Sequence, residues 1–129
     1  MLKGDVYIQT FHVNNPTYLG FIDIFKDKNP LHTSLTFAQS KGFKAEVMHG
    51  NILNGFLSYF VGECLPIKDV IIQLQEIKFY LPVYLDDELK FCAEIIDVYE
   101  SVNSIEFKYY FENTSGKKVA KGKIQIGII

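Results

Sequence analysis

Asp27, Asn29 and His32 are the residues of this chain whose types and spacing could do chemistry, and they stand together in "FKDKNPLHTSLTFA", residues 25–38. A carboxylate beside an imidazole makes two titratable groups whose proton affinities can be driven apart. One can then take a proton while the other gives one. Pro30 removes a backbone donor and pushes Asn29 out of the α region. Asp27 and His32 are therefore expected on an irregular loop, where side chains five positions apart can converge on a scaffold held rigid elsewhere. The same residues also suit a plain Asx turn followed by a helix cap, and spacing alone does not choose between the two readings.

The scaffold is legible in the hydrophobic pattern. "SIEFKYYFE" puts Ile105, Phe107, Tyr109 and Phe111 on one face and charged residues on the other. "AKGKIQIGI" repeats this with Ala120, Gly122, Ile124, Ile126 and Ile128. Such alternation marks half-buried antiparallel strands. "VIIQLQEIKFYL" changes phase near Gln75–Glu76 and "ELKFCAEIIDVY" near Ile95–Ile96, and a β-bulge at each would account for the slip. With turn signals at "LDDE", "SVNS" and "NTSGKK", these segments predict a four-strand meander.

The N-terminal half predicts one strand, "DVYIQTFHV", then broken helical pieces up to about residue 48. In "HGNILNGFLSYFVGECL", Ile52, Leu53, Phe56, Leu57, Phe60, Val61 and Cys64 recur at helical spacing, and Pro66 ends the helix. Its second face carries Asn51, Asn54, Gly55, Ser58 and Gly62, a pattern suited to close packing against a ligand or subunit. The meander must bury its apolar face, and this helix is the element long and apolar enough to fill it. The expected architecture is a single α+β domain over residues 1–129, a curved sheet wrapped round a central helix.

Composition narrows the function. A formal charge of −2 offers no general attraction to nucleic acid or anionic lipid. All thirteen cations are lysine, so any phosphate must be held by ammonium groups or backbone N–H groups. Lys41, Lys44, Lys117, Lys118, Lys121 and Lys123 are the candidates, each otherwise solvated surface. The eight tyrosines and eleven phenylalanines are assigned to core and subunit interface. Cys64 and Cys92 are expected as buried thiols in a reducing cytosol. Asp5 interrupts any apolar leader, and no apolar run is long enough to span a bilayer, so a cytoplasmic protein is expected. Glu46 and His49 lack a third metal ligand at useful spacing, His12 has no evident partner, and His49 reads as a structural or capping residue at the head of the central helix, not a second base.

"DKNPLHTSLTFA" followed by "GFKAEVMHGNIL" resembles the signature of the MaoC-like dehydratase or (R)-specific enoyl-CoA hydratase family, which has the hotdog fold. The family's Asp-x-Asn-Pro-Leu/Ile-His…Ala motif falls on Asp27, Asn29, Pro30, Leu31, His32 and Ala38. Its Gly-Phe and His-Gly pairs fall on Gly42-Phe43 and His49-Gly50, and "FYLPVYLDDEL" is similar to its Phe-x-x-Pro-Val block. The resemblance covers roughly residues 20–95. It implies reversible syn hydration of trans-2-enoyl thioesters, carried by coenzyme A or acyl carrier protein, to (R)-3-hydroxyacyl thioesters. Asp27 and His32 become the acid–base pair on one water, and the Gly50 N–H the donor to the thioester oxygen. Asn29 orients the pair, and Ser58 lines the site. A homodimer or higher homo-oligomer joined at its sheet edges is implied, with no cofactor or metal.

Three positions depart from the family pattern. Phe25-Lys26 replaces Ser/Thr-Gly before the acid, Asn51 stands where Met commonly follows His-Gly, and the Pro before that His is missing. None removes a catalytic group, and all bear on substrate choice. The alternatives are a hotdog thioesterase, a non-catalytic thioester-binding or assembly module, and a dehydratase acting on a hydroxyacyl or sugar-like substrate.

Overall fold

In a computed structural model describing residues 1–129, five antiparallel strands curve around one long helix. The strands are β1 (Val6–His12), β2 (Val70–Phe79), β3 (Glu88–Tyr99), β4 (Ser104–Glu112) and β5 (Lys118–Ile128), and their order in the sheet is β1-β3-β4-β5-β2. Between β1 and β2 run α1 (Asn15–Phe25), α2 (Pro30–Thr33), α3 (Leu35–Ser40) and α4 (Asn51–Tyr59). This is the sheet-around-helix arrangement that the pattern predicts.

The expected four-strand meander is corrected. Only β3, β4 and β5 form a meander; β2 pairs with β5 and β1 with β3. The physical reason lies in residues 80–87. This segment does not fold β2 back onto β3. The "LDDE" turn instead ties the start of β3 to the end of β1: Asp86 N–H donates to the Val13 carbonyl and Val13 N–H to the Asp87 carbonyl. The same turn explains His12, whose Nε2 lies 3.1 Å from Asp86 Oδ1, a partner the sequence does not reveal.

The bulges give the sheet its curvature. The slip in β3 falls at Ile96, where the sequence places it. The slip in β2 falls at Gln73, earlier than expected, so Leu74 faces outward and is 44% exposed. Gln73 turns its side-chain oxygen to Ser104 and Gln125, accepting from both at 2.9 Å, so the displaced residue keeps its polar group satisfied.

The helix fills the concave side. Ile52, Leu53, Leu57, Phe60 and Val61 are buried, as the stripe predicts. Phe60 meets the sheet edge-on, with ring centroids 4.9 Å from Phe91 and 5.6 Å from Phe107. Burying each such side chain contributes about 1.5–3 kcal/mol. Beyond Tyr59 the helix widens into a π-turn over Phe60–Cys64, and Leu65 is extended because Pro66 follows it. Cys64 and Cys92 are half-buried free thiols, which corrects the expectation of two buried ones; burial pushes the Cys64 thiol above its usual range. No helix is long and apolar enough to cross a membrane.

Candidate functional site

Helix endings aim the catalytic candidates. α1 stops at Lys26, whose left-handed backbone (φ 64°) swings the chain out of the helix immediately before Asp27. Asp27 Oδ1 then accepts the Asn29 N–H at 3.1 Å, and Asn29 Oδ1 accepts the Leu31 N–H at 3.0 Å. So the Asx turn and the cap both exist, and neither excludes a catalytic role, because Asp27 Oδ2 remains free of them. His32 does not lie on an irregular loop, which corrects that expectation. Proline suits the first position of a helix, and Pro30 opens the single turn α2 that carries the imidazole.

The His32 ring is fixed from several directions. Its Nδ1 donates to the Val47 carbonyl at 2.7 Å; a carbonyl only accepts, so Nδ1 carries the hydrogen and Nε2 keeps its lone pair. The Tyr18 hydroxyl donates to the His32 carbonyl at 2.6 Å. Nε2 faces Asp27 Oδ2 at 3.7 Å, within ion-pair range and too far for a direct hydrogen bond. The gap has room for a water about 2.8 Å from each atom. The carboxylate is half-exposed (49%) and the imidazole more enclosed (16%).

His49 has the structural role expected of it, with partners that the sequence does not reveal. It is 3% exposed, and its ring stacks on His32 with centroids 3.9 Å apart and packs on Phe21 at 4.6 Å. Its Nε2 donates to the Asp27 carbonyl at 2.9 Å, so one buried side chain braces both members of the pair. Its Nδ1 is buried without a partner. The fold thus supplies the neighbours that spacing around His49 lacks, since donor atoms of Asp27, His32 and His49 lie within 4.8 Å of one another. Each ring commits one nitrogen to a carbonyl, which leaves His32 Nε2, His49 Nδ1 and Asp27 Oδ2 as the uncommitted side-chain atoms of the trio.

Asp27, His32 and His49 line a cavity of about 530 Å³ walled by Phe21, Val47, Met48, Leu53, Phe79 and Val83. Gly50, which caps α4, lies in the same wall, and neither its N–H nor that of Asn51 donates to a backbone carbonyl. A helix start with free N–H groups is an electropositive donor site. A Cβ on residue 50 would come 3.0 Å from the Phe79 ring, a tight contact that the ring would have to relieve by shifting.

The remaining candidates stand apart. Asn29 is exposed and occupied with capping α2. Ser58 is exposed on the far face of α4 and does not line the cavity. Lys118 and Lys123 are paired with Glu112 and Glu106, while Lys41 and Lys44 lie over the rings of Phe37 and Tyr84.

Comparison with known proteins bears on the family and the fold. The family described as MaoC like domain matches residues 7–116. The (R)-specific enoyl-CoA hydratase of Aeromonas caviae is 35% identical over 75 residues, 58% of this chain and 56% of that protein, so the match spans just over half of the relative. The protein of the same description from Rhodospirillum rubrum is 27% identical over 106 residues, 82% of this chain and 73% of that one. Among solved structures, the R-hydratase PhaJ1 from Pseudomonas aeruginosa aligns with a TM-score of 0.89 at 25% identity, over 99% of this chain and 82% of that one. The (R)-hydratase from A. caviae aligns at 0.91 and 23% identity, over 100% and 98%. This chain belongs to the MaoC-like domain family and has its hotdog fold.

Proposed function

We propose that this protein catalyses the reversible syn hydration of trans-2-enoyl thioesters to (R)-3-hydroxyacyl thioesters. The observation that carries the reading is the 3.7 Å separation of Asp27 Oδ2 and His32 Nε2 in a largely apolar cavity that also holds the head of α4. Relatives described as hydratases favour the same chemistry.

The steps follow from the free atoms. Asp27 Oδ2 accepts one O–H of a water, and His32 Nε2 accepts the other. The water oxygen attacks C3 as its proton passes to Nε2, and the C2–C3 π electrons move toward the thioester oxygen. The growing enolate charge falls to the Gly50 N–H, with the Asn51 N–H beside it. The imidazolium, held next to the Asp27 carboxylate, returns its proton to C2 on the face where the hydroxyl was added. Water is consumed whole, the pair ends as it began, and no cofactor takes part. Dehydration is the same path reversed.

Asn29 acts by holding the Asp27 turn. Ser58, exposed and outside this cavity, takes no part in these steps, and the protein acts as a cytoplasmic homodimer joined at the sheet edges. Val6 and Ile8 on one edge strand, and Ile71 and Leu74 on the other, expose 44–59% of their surface. The substrate is an acyl thioester of coenzyme A or acyl carrier protein, and residues 1–129 act as one domain.

The test is loss of enoyl absorbance with crotonyl-CoA. Asp27→Asn and His32→Ala should each lower kcat by roughly 10²–10⁴-fold with unchanged circular dichroism. Near-full activity in Asp27→Asn would end this assignment. Saturable acyl-CoA binding without turnover, also on longer chains and carrier-protein thioesters, would point to a binding module.

A further inference from the structure

A second cavity of about 910 Å³ lies over the sheet, and Tyr80 lines both it and the catalytic cavity. Its charged lining is Lys78, Lys108, Lys121 and Lys123 against Glu76 and Glu94, so it is electropositive in a chain whose net charge is −2. The register of β2 and β5 places Lys78 directly opposite Lys121. Like charges in that position repel.

Neighbouring lysines are relieved by carboxylates. Lys108 has Glu94 at 3.2 Å, Lys118 has Glu112 at 3.6 Å and Lys123 has Glu106 at 3.5 Å. Lys78 and Lys121 belong to no ion pair. Both ammonium groups instead lie against the ring of Tyr80, 5.4 and 5.1 Å from its centre. Two facing cations with no carboxylate in ion-pair range, beside a residue that lines both cavities, make an arrangement suited to an anion.

We infer that Lys78, Lys121 and Tyr80 form the phosphate subsite for the nucleotide end of a coenzyme A thioester. The inference rests on the thioester reading above and deepens it by choosing the carrier. The flat ring of Tyr80 and the ring of Tyr110 further along the cavity suit a purine, and paired ammonium groups suit its phosphates. A carrier protein would bring one phosphodiester and leave most of this cavity unused.

The experiment compares crotonyl-CoA with crotonyl-pantetheine, which has the same reacting group and no phosphate. Lys78→Ala and Lys121→Ala should each cost about tenfold more in kcat/KM with the coenzyme A substrate than with the truncated one, mostly through KM. Lys78→Arg, which keeps the charge, should recover most of the loss. Equal losses on both substrates, or none on either, overturn the subsite. A binding measurement separates this inference from the catalytic one: calorimetry with adenosine 3′,5′-bisphosphate should show saturable binding that each alanine variant weakens about tenfold. Binding without any turnover keeps the subsite and removes the hydratase reading. Turnover without nucleotide binding does the reverse.

Discussion

His49→Phe is the substitution that tests most sharply how the site is held. Phenylalanine keeps a flat ring between His32 and Phe21 but removes the donor that serves the Asp27 carbonyl. Leaving a partly buried carbonyl unpaired costs about 1–3 kcal/mol. Part of that is returned, because the partnerless Nδ1 disappears from the interior as well. The net loss of stability should therefore be small, about 1 kcal/mol. His49→Ala, which also opens a cavity at a 3% exposed position, should lose about 3 kcal/mol or more.

Activity should respond more than stability. Once the Asp27 carbonyl is released, Oδ2 no longer keeps its 3.7 Å approach to His32 Nε2, and an error of about 1 Å can cost roughly 10²-fold. The assays are urea unfolding at constant m-value and kcat on crotonyl-CoA for His49→Phe, His49→Ala and His49→Gln. Glutamine can reach the same carbonyl, so it should restore part of kcat. If His49→Phe loses stability yet turns over at the wild-type rate, the bond is structural only and the bracing argument is wrong.

Two further predictions concern the frame. Tyr109 donates its hydroxyl to the Glu76 carbonyl at 2.6 Å, and burial, with Glu76 second, pushes that hydroxyl well above the usual tyrosine range. The unfolded phenol ionises near its ordinary value of about 10 while the folded one stays protonated, so this stabilisation is whole below about pH 10 and fades as pH rises beyond it. Tyr109→Phe should cost about 0.5–1.5 kcal/mol at neutral pH and flatten the alkaline decline in urea titrations, leaving a residual slope from Tyr7 and Tyr18. Gly122→Ala should destabilise by about 1–3 kcal/mol or more, because the new methyl would fall inside contact distance of the Glu76 carbonyl and the Tyr109 hydroxyl; an unchanged thermal midpoint would refute that packing.

What the chain says by itself is set by periodicity and by local chemistry. Alternation in residues 104–112 and 118–128 and the helical stripe through Ile52, Leu57 and Phe60 name the elements, because each must hide one face from water. Asp27 and His32 were visible because Pro30 and Asn29 make a local turn that needs no distant partner. Pairing was not local. β2 lies beside β5, and the Asp86–Val13 bond ties the start of β3 to the end of β1, so each contact joins residues far apart in the chain.

The same limit hid the lysine pair and the partners of His49. Asp27 and His49 are separated by twenty-two positions, and no spacing rule brings one imidazole onto another. Lys78 and Lys121 become opposed only when two strands from opposite ends of the C-terminal half share a register. The sequence determined which groups could do chemistry. Tertiary structure decided which of them meet, because contact across a sheet or between two helices is a property of packing and cannot be read from either segment alone.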